Sequence, residues 1–313
     1  MTFAVVIAIL QSQQDQAPRQ LFGFPPGIFW PYFVCILFFV LGLIRLLFFK
    51  RALSEAKGLD KFIVFGPLLF AVPLATFGSE HFTALPIVAG LIPAWIPFHV
   101  FFALLVGTCL ILAALAIIFE VCDGLAAFLV GLMLTIFILI MHIPNIRAGV
   151  TNTEQIRLAV ALRDLAFSGG AFALASVKWN KWRDGLAVVA RLFLSIPLIV
   201  FGIIHFLRTN VAPGVPLAHN LPAWTPLGPV STIATGVIFI VGGALLLVRF
   251  RARLTATIVG IWAIFLLFFM YLPIVLADPR DIGNGLNYFA DTMMLAGALF
   301  LLANATPRNA GAA

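Results

Sequence analysis

The residues of this chain with chemistry to offer are two aspartates deep in apolar sequence, Asp164 and Asp291, and a set of histidines and aromatics. Asp164 follows Arg163, and His81, Trp95, His99 and His142 precede it in the same half of the chain. A second set, His205, Trp224, Tyr271 and Asp291, follows in the other half. Imidazole beside carboxylate is a proton-exchanging pair near neutral pH. An ionised Asp inside a hydrocarbon layer costs on the order of 2.5–3.5 kcal/mol on insertion scales, so each aspartate needs a partner or a proton. Arg163 and Asp164 are helix neighbours that diverge by about 100°, so Arg163 is expected to reach another helix. The pairing expected is His81 and Arg163 on Asp164, with His205 and Tyr271 on Asp291. The alternative roles are plain: Trp at a membrane surface anchors, His at a helix C-terminus caps carbonyls, and Pro ends helices.

These groups must be positioned by membrane helices. Of 313 residues, 63% are apolar and 10% charged, with mean hydropathy +1.12. That is too few charges to cover a water-soluble surface. Nine stretches are long enough to span, at about 20 residues each: Trp30 to Phe49, Phe62 to Gly78, Pro97 to Phe119, Leu125 to Ile143, Leu158 to Val177, Leu186 to Phe206, Leu227 to Val248, Thr255 to Ala277 and Leu286 to Ala303. All are expected to be helices, because no recurrent ten-residue alternation suggests a barrel. The lipid bilayer is therefore the first partner. The net charge of +7 does not imply nucleic acid, because the basic residues flank the spans. Cys35, Cys109 and Cys122 have unrelated spacings, so neither a disulfide framework nor a metal site is expected. Met1 to Leu10 lacks a basic leader and a cleavage site follows nowhere near, so residues 1–29 read as an extracytoplasmic or interfacial segment rather than a signal peptide.

Orientation follows from the loops. Lys50, Arg51, Lys57, Lys61, Lys178, Lys181, Arg183, Arg249, Arg251, Arg253 and Arg308 collect on one side; Arg19, Arg147, Arg157, Arg208 and Arg280 collect on the other. The richer side is expected to be cytoplasmic, with the N-terminus outside and the C-terminus inside a bacterial-type cytoplasmic membrane. Arg45, Arg163 and Arg191 stay within spans. Arg45 can snorkel, and Arg191 sits too far along its helix to pair with Asp164.

The sequence is duplicated. Phe77-Gly78-x-x-His81-Phe82 recurs as Phe201-Gly202-x-x-His205-Phe206, and Pro93-Ala94-Trp95-x-Pro97 as Pro222-Ala223-Trp224-x-Pro226. Met141-His142-Ile143-Pro144 faces Met270-Tyr271-Leu272-Pro273, and Asp164 with Gly170 faces Asp291 with Gly297. The offset changes only in loops, where insertions are tolerated. The expected fold is an all-α polytopic bundle: a tandem, parallel repeat of a four-helix unit, since an even number of spans returns the second copy to the same side. The layout is an extra helix and basic loop over 30–60, a first repeat over 61–178, a second over 179–305 and a tail over 306–313. Matched residues all fall toward the outer face, with Asp164 about 10 Å and Asp291 about 8 Å in from their helix ends. Gly169-Gly170 and Gly242-Gly243 are expected to permit close helix approach.

With Gly-x-x-His-Phe closing the first helix of each unit, a Pro-x-Trp-x-Pro loop, a Pro ending the third helix and a polar residue in the fourth, the stretch from about Lys61 to Ala305 resembles the DoxX-like membrane proteins. That resemblance implies a four-helix membrane bundle, in some members a small subunit of a quinone-linked oxidoreductase such as thiosulfate:quinone oxidoreductase. The expected function is accordingly a quinone-linked membrane subunit with a polar pocket near the extracytoplasmic face, His and Asp supplying hydrogen bonds and protons to quinone carbonyls. The first repeat, richer in such groups, is the favoured place. The alternative is a non-catalytic accessory or scaffold subunit packed against other membrane proteins, and a small-molecule transporter ranks third. Whether the chain is an enzyme stays open. Haem is disfavoured, since His81 and His142 lie at the outer edge and Tyr271 replaces the second histidine in the other copy. No GxGxxG, GxxxxGK[ST], HExxH or GxSxG pattern points elsewhere.

Overall fold

The computed structural model describes residues 20–49, 51–146, 152–217 and 219–307; side chains of 145 and 152–155 are not among those described. Residues 1–19 of the segment 1–29 expected to be extracytoplasmic or interfacial, Lys50, Arg147 and the tail from Arg308 lie outside the described residues, while residues 20–29 form a tight turn and then enter the first long helix at Pro26. Nine helices among the described residues are long and apolar enough to cross a membrane. They are numbered α1 (Pro26–Phe49), α2 (Asp60–Thr83), α3 (His99–Phe119), α4 (Asp123–His142), α5 (Ile156–Lys178), α6 (Asn180–Leu207), α7 (Pro229–Leu247), α8 (Ala252–Ala277) and α9 (Ile282–Ala305). Short helical turns at Ala52–Glu55, Leu85–Leu91 and Ile143–Ile146 sit in the connections. The chain is an integral membrane protein.

Two helices form the centre. In α5 and α9, 78% and 89% of the apolar window is buried inside the bundle, against 17% in α1. They are also the least hydropathic spans, which suits helices that meet protein rather than lipid. α5 and α9 pack against each other. Around them the packing is reciprocal: α2 lies on α9 as α6 lies on α5, α3 on α2 as α7 on α6, and α4 on α5 as α8 on α9. The packing of the first half thus recurs in the second about the α5–α9 contact. α1 stands outside this symmetry, packed mainly on α2.

The backbone repeats in detail. Apart from Phe22, the described non-glycine residues in the left-handed region occur as Phe98 and Leu227, Glu120 and Arg249, and Cys122 and Arg251, each pair 129 apart. The α-helical run of α4 widens into a π-helical turn at Ile138–His142, and that of α8 does so at Leu267–Tyr271, the same offset. Each Pro that follows, Pro144 and Pro273, has no N–H to donate. A π turn is a local accommodation of one extra residue and is often kept where function needs it.

Glycines set the closest crossings. A Cβ on Gly78 would lie 2.9 Å from the carbonyl of Gly107, and one on Gly202 2.6 Å from that of Gly236. At the central seam a Cβ on Gly297 would meet the Phe70 backbone nitrogen at 2.6 Å, and Gly170 is pressed against Ala298. Without a hydrophobic drive between helices in lipid, such small-residue contacts supply the packing attraction. At the basic end, Arg253 pairs with Asp60 at 2.8 Å and donates to the Ala303 carbonyl, while Lys178 pairs with Asp123 at 2.6 Å. Arg191 spends its guanidinium on the carbonyls of Leu246 and Leu247 and so caps α7, away from Asp164.

Candidate functional site

The two aspartates project from the central helices, Asp164 from α5 and Asp291 from α9, and are 6% and 1% exposed. One guanidinium joins them. Arg163 donates through Nε (3.1 Å) and Nη2 (3.0 Å) to Asp164 Oδ1, and through Nη1 (3.2 Å) to Asp291 Oδ2. Its plane also lies over the Phe167 ring, 5.9 Å from the centroid. Arg163 does cross to another helix as the sequence suggests. It also folds back onto its own neighbour, because a long side chain with a forked head can span the 100° that separates adjacent helix positions.

His142, at the end of the π turn in α4, closes the array with Nε2 2.9 Å from Asp164 Oδ2. Both oxygens of Asp164 are thus engaged. Asp291 is served less well: Oδ1 is buried without a partner. In bonded order the side chains of His142, Asp164, Arg163 and Asp291 are 18%, 8%, 24% and 1% exposed, so the two basic groups are the more accessible and Asp291 is the most deeply buried.

The remaining expected partners are occupied elsewhere. His81 Nδ1 donates to the Phe77 carbonyl at 2.8 Å, and His205 Nδ1 donates to that of Phe201. A helical side chain leans back over the preceding turn, so the carbonyl four residues earlier is the nearest acceptor. His81 therefore does not neutralise Asp164, and His205 does not bond Asp291. The other ring nitrogen of His205 accepts from the Gly214 N–H at 3.0 Å. Tyr271 donates to the Pro213 carbonyl at 2.9 Å, pinning the loop after α6. His99 Nε2 lies 3.2 Å from the Pro93 carbonyl. Trp95 is 71% exposed and Trp224 49% exposed. Of the ten residues singled out, the structure gathers His142, Arg163, Asp164 and Asp291 into one array.

Sequence reasoning passed over three residues. Glu80 of α2 lies beside the side chain of Asn287 in α9, and both Glu80 Oε1 and Asn287 Oδ1 are shielded from solvent without a partner. Glu80 feels the charges of Asp291 and Arg163, so it belongs to the same neighbourhood. An ionisable residue in a span was the available signal. Its repeat counterpart, Ile204, gave none.

The third is His219. It lines a cleft of about 220 Å³ beside Pro222, Trp224, Ile274, Ala277, Asp281 and Asn284. Burial pushes the His219 imidazole below its ordinary pKa, with Asp281 opposing, and Nε2 has no partner. Asp281 is held below the usual carboxylate range by the backbone N–H of Asn284 and then by its side-chain amide, at 2.9 and 2.8 Å. The His219 N–H donates to the Tyr288 hydroxyl at 2.8 Å, and the Tyr288 ring stacks on Tyr271 with centroids 6.1 Å apart. Asn284, Asn287 and Asp291 fall on one face of α9, so that face runs from the cleft to the ion array over about 10 Å. No family model, curated protein or solved structure matches the chain.

Proposed function

We propose that the protein is a quinone-linked membrane subunit of DoxX-like type, with the headgroup site at the His219–Trp224 cleft and proton handling in the buried ion array. The observation that carries this reading is Asp291, a carboxylate 1% exposed with one oxygen unpartnered, tied through Arg163 and Asp164 to His142. A series of titratable groups running from the surface into the bundle centre is what proton uptake or release beside an apolar redox ligand requires.

The cleft suits such a headgroup. Pro222, Trp224, Ile274 and Ala277 would wall the ring, and the orphaned Nε2 of His219 would face a carbonyl oxygen. When bound, a quinone supplies two-electron, two-proton redox chemistry at its carbonyls. The chain's own residues do the rest: His219 orients, the aromatic and aliphatic wall excludes water, and Asp291 accepts or returns a proton while Arg163, which keeps its own charge, holds Asp291 to the Asp164–His142 pair. The matched end of the bundle is read as extracytoplasmic, on the charge bias of the loops.

A short-chain quinone titrated into the purified protein should quench tryptophan fluorescence saturably. Trp224→Leu and His219→Phe should weaken binding at least tenfold, while Asp291→Asn should leave affinity near wild type and suppress the proton exchange that accompanies reduction. Absence of saturable quinone binding by the wild-type protein would overturn the reading.

A further inference from the structure

The symmetry of the bundle allows each polar group to be judged against its counterpart. At the α2–α9 contact stand Glu80 and Asn287; at the equivalent α6–α5 contact stand Ile204 and Val160. Arg163 is matched by Ala290, and His142 by Tyr271, which turns to Pro213. The fold thus builds the same interface once with apolar residues, so nothing about helix packing calls for Glu80 or Asn287.

Charge makes the asymmetry sharper. Three carboxylates, Glu80, Asp164 and Asp291, share this neighbourhood with one guanidinium, Arg163, and one imidazole, His142. Were all three carboxylates ionised and His142 protonated, the sum would be one negative charge, which a bundle interior must offset with a proton or a bound cation. Asp164 has both oxygens engaged. The unfilled capacity lies on the other side: Asp291 Oδ1, Glu80 Oε1 and Asn287 Oδ1 are all buried and unpartnered. Asn287 and Asp291 stand one turn apart on α9. All three orphans are acceptors, two of them anionic, and an amide oxygen cannot relieve its own want by taking a proton at neutral pH. Hard oxygen donors of this kind, two carboxylates and an amide carbonyl, are what alkali and alkaline-earth cations take as ligands.

We infer that Glu80 Oε1, Asn287 Oδ1 and Asp291 Oδ1 form a monovalent-cation site, fitted to Na⁺, between α2 and α9. One positive charge completes the balance that Arg163 and His142 leave short. A divalent ion would reverse the sign of the remainder. Asp291 is common to this site and to the proton role given to it above, so Na⁺ and a proton would compete for it, whereas Na⁺ binding itself does not require a ligand in the His219 cleft.

The test is thermal unfolding of the purified full-length protein in detergent, titrated with NaCl against choline chloride at equal ionic strength and pH. A saturable rise in Tm with Na⁺ alone is expected, and Glu80→Gln should abolish that rise. Glu80→Gln keeps the side-chain shape, and a second variant, Asn287→Asp, should retain or strengthen the Na⁺ response. Equal response to Na⁺ and choline, or an undiminished Na⁺ response in Glu80→Gln, would overturn the assignment. Should Glu80→Gln not fold, the wild-type protein still decides: stabilisation by lowered pH with no effect of Na⁺ would mean that the oxygens hold a proton and no metal ion.

Discussion

His142 and Tyr271 occupy the same place in matched π turns, yet His142 grips the aspartate of its own repeat while Tyr271 reaches a loop carbonyl at Pro213. The two aspartates consequently differ, although their helices are symmetry mates. Asp164 is saturated, and Asp291 depends on Arg163 for its one polar contact among the described residues. The ion array is therefore asymmetric within a duplicated frame, taking His142, Arg163 and Asp164 from the first half and Asp291 from the second.

Arg163 is the keystone of that arrangement. Arg163→Leu strands two buried carboxylates and should destabilise the protein by roughly 3–5 kcal/mol, the usual cost of removing one partner from a buried ion pair. Replacing Asp164 and Asp291 with Asn in the same protein should recover most of the loss. Chemical or thermal unfolding of the single and triple variants measures both; an Arg163→Leu protein as stable as wild type would show the pairs to be idle.

The glycine crossings predict a graded effect. Gly202→Ala places a methyl 2.6 Å from the Gly236 carbonyl and should cost about 1–3 kcal/mol through overpacking. Gly90→Ala, where a Cβ meets nothing within 4 Å, is the control and should be close to neutral. Tm values for the two in the same detergent decide the matter.

Acid should loosen the cleft in two stages. Burial lowers the folded pKa of His219, so the stability it contributes is full above about pH 6.5 and shrinks as pH falls below that. Asp281 has a lowered folded pKa too, and its contribution persists until pH drops below the ordinary carboxylate value of about 4. His219→Gln should flatten the first stage and Asn284→Ala should weaken the second, as read by Tm against pH. A wild-type profile without a slope between pH 6.5 and 5 would contradict the role given to His219.

Orientation can be checked with the native thiols. Cys122 is exposed in the turn between α3 and α4, at the basic end of the bundle. A membrane-impermeant maleimide should label it in inverted vesicles and not in right-side-out ones, whereas Trp95→Cys should behave the opposite way. The reverse pattern would invert the topology and the side from which protons enter.

Much of this was legible in the chain. Hydropathy alone located the nine spans, because a helix in lipid must be apolar over its whole length. The repeat was visible in short motifs that turn out to sit at constrained backbone: Gly78 and Gly202 at helix crossings, Pro144 and Pro273 after π turns. Depth from helix geometry marked the aspartates. What stayed hidden were partners. Arg163 defeats the rule that neighbours on a helix do not meet, because that rule describes Cβ directions and not the reach of a guanidinium. Glu80 reads as an end-of-helix residue until the α2–α9 contact carries it inward, and His219 lies in a loop whose path is set by Tyr271 and Tyr288. His81 and His205, expected to partner the aspartates, bond their own helix carbonyls instead, as the alternative capping role had it.

The reciprocal packing around α5 and α9 has a consequence for ancestry. A single four-helix unit folding this way would leave its last helix naked on one side and would assemble with a copy of itself, each clasping the other's first helix. In that symmetric pair two arginines would face two aspartates across the axis. In the tandem chain one arginine is enough for both carboxylates, and the matched position carries Ala290.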